Sequence, residues 1–246
     1  MYTEAQLGLR ELPSQPHVMY QRWRSLLFLH FPCPSEEIEP LLPPGLNMDT
    51  FPDESGRPMA WVGLVPFRME GVRPRFLPSV PGLSAFPETN VRTYVHRNGQ
   101  DPGVWFFSLD AANRIACAIA RRFFGLPYFH ANMQVLEERN IRRYVSNRYS
   151  APNSLSRISS VLGGRLPDAQ PGTLEFFLIE RYLLYTVRRG LLMSGRVHHS
   201  PYPLREAKLE GIDEKPVGSA EIRPEPFVHV MGSDGVDVKI YPLEPI

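Results

Sequence analysis

The chain has 246 residues, of which 43% are hydrophobic and 22% charged, and its formal net charge is +1. These values sit with ordinary globular proteins and exclude an intrinsically disordered chain, while a charge so close to neutral excludes the broad positive field of a nucleic-acid binder. No apolar run approaches membrane-spanning length and the first residues lack the apolar core of a signal peptide, so a cytoplasmic protein without membrane contact is expected.

The length fits one domain, residues 1–246, behind a polar, Pro-containing lead-in at 1–19. The 26 prolines and 18 glycines predict many short elements. Lys208, Lys215 and Lys239 are the only lysines, so residues 1–207 carry no side-chain amine and no lysine nucleophile can act there. Cys33 and Cys117 are too few for a disulfide scaffold, and both are expected to be reduced.

In chain order, Arg22–Phe31 is apolar and predicts a first strand. Ser35 is placed to cap a short helix whose first turn carries Glu36, Glu37 and Glu39, and Pro43, Pro44 and Gly45 stop it. Met59–Met69 predicts a buried strand, with Pro66 marking an edge or a bulge. Thr89–His96 and Gly103–Leu109 predict a hairpin around Asn98-Gly99. Asp110–Phe124 predicts the main helix, capped by Ser108 or Asp110 and ended by Gly125 and Pro127. Its face of Ala112, Ile115, Ala116, Ile119 and Phe123 is suited to close packing on a sheet, and Cys117 is expected as a small core residue.

Further strands are expected at Phe129–Leu136 and Ile141–Tyr149, followed by a long loop over Ser150–Gly172. Thr173–Val187 predicts a long strand, with helix as the alternative, and Leu191–His199 another strand. Phe227–Met231 and Val236–Tyr241 flank Gly232-Ser233-Asp234-Gly235 and predict a terminal hairpin. The sum is a mainly β (α+β) protein, a closed or half-closed barrel with one main helix against it, which leaves few open edges.

Candidate site residues cluster on one predicted strand. Glu88, Asn90, Arg92 and Tyr94 alternate with Thr89, Val91, Thr93 and Val95, so the polar set shares one face. On the outside of a sheet it would be solvated. Inside a barrel it would line a cavity able to orient a small carboxylate or carbonyl. Glu180-Arg181-Tyr182 interrupts an apolar run, and there a structural ion pair is the plainer reading. His198 and His199 project to opposite faces of a strand and make a poor metal pair. The sequence holds no HExxH, CxxC, GxGxxG, GxxxxGK[ST] or GxSxG, so no metal and no cofactor is expected.

Six segments in order, Phe31–Asn47, Ala60–Met69, Phe86–Val95, Gly103–Tyr128, Leu174–Tyr185 and His198–Leu204, resemble the YqjF-like family, a bacterial group of unknown function within the acetoacetate decarboxylase-like superfamily. The resemblance covers most of the chain from about residue 20 onward. It implies an antiparallel β-barrel or β-cone around a central cavity, with helices outside. In the decarboxylases a Gly-aromatic-Pro turn is followed by paired lysines, one of which forms the Schiff base. The matching segment here is Gly125-Leu126-Pro127-Tyr128-Phe129-His130, with Tyr128 and Phe129 in the lysine positions. The fold and the location of a cavity carry over; the decarboxylase chemistry does not.

What the sequence supports is a small-molecule binding protein whose ligand-binding residues are Glu88, Asn90, Arg92 and Tyr94. The alternative is an enzyme in which Tyr128 or His130 performs acid–base chemistry on a small carbonyl compound. No nucleic-acid partner is expected, and a homo-oligomer is left open.

Overall fold

In the computed structural model the described residues are 4–151, 154–214, 216–220, 222–226 and 228–246. They are mostly β. The strands are β1 (Met19–Cys33), β2 (Asn47–Met48), β3 (Phe51–Pro52), β4 (Pro58–Pro74), β5 (Phe86–Arg97), β6 (Gln100–Ala111), β7 (Tyr128–Glu138), β8 (Ile141–Arg148), β9 (Ser156–Arg165), β10 (Leu183–Arg188), β11 (Leu191–His198), β12 (Leu204–Asp213) and β13 (His229–Pro245). The helices are α1 (Glu4–Gly8), α2 (Ser35–Ile38), α3 (Arg114–Phe124) and α4 (Leu174–Ile179). None is long and apolar enough to cross a membrane.

The strands form a ring. Hydrogen bonds run from β1 through β4, β5, β6, β7, β8, β9, β12 and β13 back to β1. The β10–β11 hairpin spans the ring, joining β6 on one side and β13 on the other. An entirely antiparallel arrangement is not found, because β6 is parallel to both β7 and β10. The reason for the first is the crossover: α3 carries the chain from the end of β6 back to its start direction, as a parallel connection requires.

The hairpin between β5 and β6 turns at Asn98-Gly99, with Arg97 paired to Gln100 and both turn residues at positive φ. Pro66 lies in the interior of β4, opposite the stretch of β1 where the ladder skips from Arg24–Arg68 to Leu29–Leu64. Ser25 takes a φ of 56° in that bulge. The backbone oxygens it frees are claimed by β8: Tyr144 donates to the Ser25 carbonyl at 2.6 Å, and Arg142 to the Leu26 carbonyl at 3.2 Å.

Several expected boundaries move, each for a local reason. The main helix begins at Arg114, because β6 continues through Asp110 to Ala111. Its cap is Asn113, whose side chain accepts from the amides of Ile115 and Ala116 at 3.0 Å each. Gly125, at φ 66°, ends it. Only Cys117 of this helix is buried. Ile115, Ile119 and Phe123 are exposed, Phe123 at 59%, so the expected apolar face is not pressed wholly onto the sheet.

Thr173–Val187 divides: Thr173 caps α4 by accepting from the Phe176 amide, and strand structure resumes at Leu183. Residues 176–186 are buried on every face, so the segment carries no period to tell helix from strand. Ser35 opens α2 rather than capping it. The expected loop over Ser150–Gly172 holds β9, whose alternating burial is a period-2 pattern, although Pro152 and Asn153 lie outside the described residues.

The expected terminal hairpin is instead the single strand β13, with Phe227 outside the described residues. Its glycines serve close packing. A Cβ on Gly232 would lie 2.5 Å from Leu162 Cδ2, and one on Gly235 would lie 2.1 Å from the Trp23 carbonyl oxygen.

A buried ion pair ties the second half of the ring to the first. Arg148 of β8 donates through Nε to Asp110 Oδ1 at 2.6 Å and through Nη2 to Ser108 Oγ at 2.7 Å, while Ser146 Oγ donates to Asp110 Oδ2 at 3.2 Å. The guanidinium also lies over the Phe129 ring, 4.4 Å from its centre. Removing one partner strands a buried charge. Arg148→Met should therefore lower unfolding stability by about 3–5 kcal/mol in urea titration. The double variant Arg148→Met/Asp110→Asn should recover part of that loss. A loss below about 1 kcal/mol would mean that solvent reaches the pair.

Candidate functional site

The inward face of β5 opens onto a pocket of about 490 Å³. Phe86, Glu88, Asn90 and Arg92 all line it, as the period of a strand requires. Neighbouring strands add Val65 and Phe67 of β4 and Leu109 of β6. Tyr128, the first residue of β7, enters the same space. The α3 crossover brings it there, and Leu109 of β6 pairs with it.

Tyr128 donates its phenolic hydrogen to Glu88 Oε2 at 2.9 Å. Both side chains are buried. Burial pushes the Glu88 carboxyl up to about 8; the Tyr128 hydrogen bond opposes that rise and the Asp110 charge adds to it. The same burial, with the Glu88 charge beside it, holds the Tyr128 phenol well above its ordinary value, so it stays protonated.

Arg92 lies four residues along β5 from Glu88 and makes no ion pair with it. Its side chain is 8% exposed. One Nη2 contact reaches the Leu178 carbonyl at 3.4 Å, and Nε has no hydrogen-bond partner among the described residues. No carboxylate among those residues lies within ion-pair range of it. The amide oxygen of Asn90 is likewise buried and without a partner there.

Arg181 lines the pocket too, but its charge is answered: Nη1 meets Asp49 Oδ2 at 2.5 Å and Nε donates to the Phe177 carbonyl at 2.7 Å. Its neighbours form a second pair, with Tyr182 donating to Glu180 at 2.6 Å and Arg10 at 3.3 Å from the same carboxylate.

Tyr94 shares the β5 face but lies past the pocket wall. Its ring packs against Phe177 at 5.3 Å and His30 at 6.0 Å, and the Arg181 guanidinium is 5.1 Å from its centre. Gly63 makes this convergence possible, since a Cβ there would meet Tyr94 Oη, His30 Cδ2 and Arg92 Cγ at 3.1–3.3 Å. His130 does not join the group. Its ring stacks on exposed Tyr149 at 4.5 Å, because β7 has by then left the pocket wall.

His198 stays partly exposed, while His199 is buried, donates through Nδ1 to the Ser200 carbonyl at 2.8 Å and stacks on Tyr182 at 4.8 Å. The inward approach of Arg181 and Tyr202 escaped sequence reasoning. A charge interrupting an apolar run was its one visible signal.

Residues 20–237 match the model of the DUF2071 family, described as an uncharacterized conserved protein. The chain is 37% identical over 199 residues to the uncharacterized protein YqjF of Bacillus subtilis (strain 168), covering 81% of this chain and 80% of that one. Among solved structures it is similar to the acetoacetate decarboxylase of Legionella pneumophila, with a TM-score of 0.64, 13% identity, and 96% and 90% of the two chains covered. It is also similar to the enduracididine biosynthesis enzyme MppR in complex with pyruvate, with a TM-score of 0.63, 11% identity, and 96% and 93% covered. At such identities these two structures speak to the fold alone.

The raised Glu88 carboxyl makes stability depend on pH. The folded protein keeps this proton up to about 8, whereas the unfolded chain releases it near 4.5. Between those values the folded state binds more protons, so its stability falls as pH rises. Glu88→Gln removes the titration. From about pH 5 to about pH 8 the variant should gain on the wild type by on the order of 3 kcal/mol, read from urea midpoints. Parallel pH profiles for the two proteins would place the carboxylate in contact with solvent.

Proposed function

The chain belongs to the DUF2071 family of uncharacterized conserved proteins, and from that premise we propose that its pocket binds a small carbonyl or carboxylate compound without Schiff-base chemistry. The observation that carries this reading is the Arg92 guanidinium. It is buried in the pocket wall with no carboxylate in range among the described residues. A buried charge without a counterion is costly, and a ligand carboxylate answers it in the bidentate geometry that a guanidinium favours. Asn90, two residues away on the same face, offers a polar group for the rest of the ligand. The MppR structure holds pyruvate, an oxo acid of this class.

Among the described residues no lysine is placed to form an imine in the pocket. Lys208 is exposed and Lys239 partly so, neither lines the pocket, and Lys215 lies outside the described residues. Tyr128 and Phe129 occupy the positions where the resemblance to the decarboxylases calls for lysines.

A second reading, an enzyme acting on a carbonyl compound, is favoured by the Glu88–Tyr128 pair. A carboxyl raised to about 8 exchanges its proton near neutral pH, which is what a general acid or base needs. Tyr128, held protonated, would donate a hydrogen bond and position Glu88. His130, stacked on Tyr149, would take no part.

Two experiments test the reading. Borohydride added with pyruvate should leave no covalent adduct by intact mass; a stoichiometric adduct mapped to the pocket would overturn it. Pyruvate binding measured by calorimetry should weaken about ten- to hundredfold in Arg92→Ala, the loss of a charge-assisted hydrogen-bonded pair. The thermal midpoint should change little. A large loss of stability with unchanged binding would make Arg92 a structural residue instead.

A further inference from the structure

The pocket is longer and more apolar than a small oxo acid requires. Along β5 its lining runs from Phe86 to Arg92. Six residues of strand at about 3.3 Å each give a depth of roughly 20 Å. At about 490 Å³ the volume falls in the range that holds drug-sized ligands rather than three-carbon acids.

Polarity is distributed unevenly along that depth. At one end stand the buried guanidinium of Arg92 and the unpartnered amide oxygen of Asn90. At the other, where β5 begins, the rim is apolar and open. Leu77, Val80 and Leu83 project from the segment between β4 and β5, and Ile115 and Ile119 project from α3. All of these are exposed, Leu77 at 59%. Between the ends the walls are Val65, Phe67, Phe86, Leu109 and Phe124. Glu88 is the one acidic side chain among the lining residues, and with its proton retained at neutral pH it adds no charge beside a ligand.

A ligand matched to this profile carries its charge at one end only. We infer that the pocket takes an amphiphilic monocarboxylate of acyl-chain type, with the carboxylate at Arg92 and the apolar chain running along β5 to the rim formed by Leu83 and Ile119. This rests on the carboxylate-binding reading above and adds to it the class of molecule. It also gives the exposed apolar residues of α3 a role, since they would meet the far end of the chain where it leaves the pocket.

Calorimetric titration of the full-length protein with butyrate, octanoate and dodecanoate, and with octan-1-ol as the uncharged counterpart, separates the possibilities. Each methylene buried is worth about fourfold in affinity, the equivalent of ~0.8 kcal/mol. Octanoate should therefore bind far more tightly than butyrate, at one site per chain, and octan-1-ol at least about tenfold more weakly than octanoate. Arg92→Ala should bring octanoate down to the level of the alcohol. If that variant does not fold, the wild-type series decides the question alone. Butyrate and pyruvate binding as tightly as octanoate would overturn the acyl-chain inference and leave the carboxylate reading standing. Octan-1-ol binding as tightly as octanoate would overturn the assignment of the head to Arg92, and with it the inference. No binding by any carboxylate would overturn both readings.

Discussion

Strand β5 is hydrogen-bonded along both edges, to β4 and to β6, and its two faces consequently have fixed and opposite environments. One face, with Val91 and Thr93, packs into the core behind the sheet, where Thr93 donates to the Trp61 carbonyl at 2.8 Å. The other carries Glu88, Asn90 and Arg92 into the pocket. A slip of one residue would exchange these sets and drive three polar side chains into packed hydrocarbon. The register is thus held by the cost of the alternative, and the pocket inherits its polar groups from that register.

Closing the strands into a ring creates an interior, where a polar group without a partner is costly. The molecule meets this demand in different ways. Arg148 and Asp110 neutralise one another across β6 and β8. Arg181, in the pocket wall, is paired with Asp49. Glu88 is answered by a neutral phenol, and burial then favours its protonated form. Arg92 cannot shed its charge in this way, since a guanidinium does not deprotonate in proteins. Among the described residues it has one long hydrogen bond to the Leu178 carbonyl and the Tyr94 ring, whose centre lies 5.7 Å away. Arg181 and Arg92 thus differ in that the first is paired with a carboxylate and the second has none in range among the described residues.

The α3 crossover links fold to site. By returning the chain for a parallel β6–β7 pairing it delivers Tyr128 to the pocket beside Glu88, and in the same turn leaves its own apolar residues at the rim. The glycines tell a similar story. Gly63 gives room to three side chains, and Gly232 and Gly235 let strands pass close to Leu162 and Trp23. None of them marks the turn that a sequence pattern suggests.

Strand character, the Asn98-Gly99 hairpin, the helix ending at Gly125 and the shared polar face of β5 were all legible, because each depends on period or on φ preference at nearby residues. The absence of a side-chain amine from residues 1–207 was equally plain and bounds the chemistry from the sequence alone. What the tertiary structure decided is which of two chemically equal candidates has a partner. Glu88 lies nearest Arg92 in sequence among the acidic residues preceding it, yet it bonds Tyr128, forty positions away. Asp110, suited to cap a helix, instead holds Arg148 from a distant strand, and Asn113 takes the cap. The parallel pairings, the strand within Ser150–Gly172 and the continuity of β13 likewise depend on contacts between segments far apart in the chain. Local propensity is a property of neighbours in sequence; the pairing of buried charges and the closure of a sheet are properties of neighbours in space, and no short window of sequence contains them.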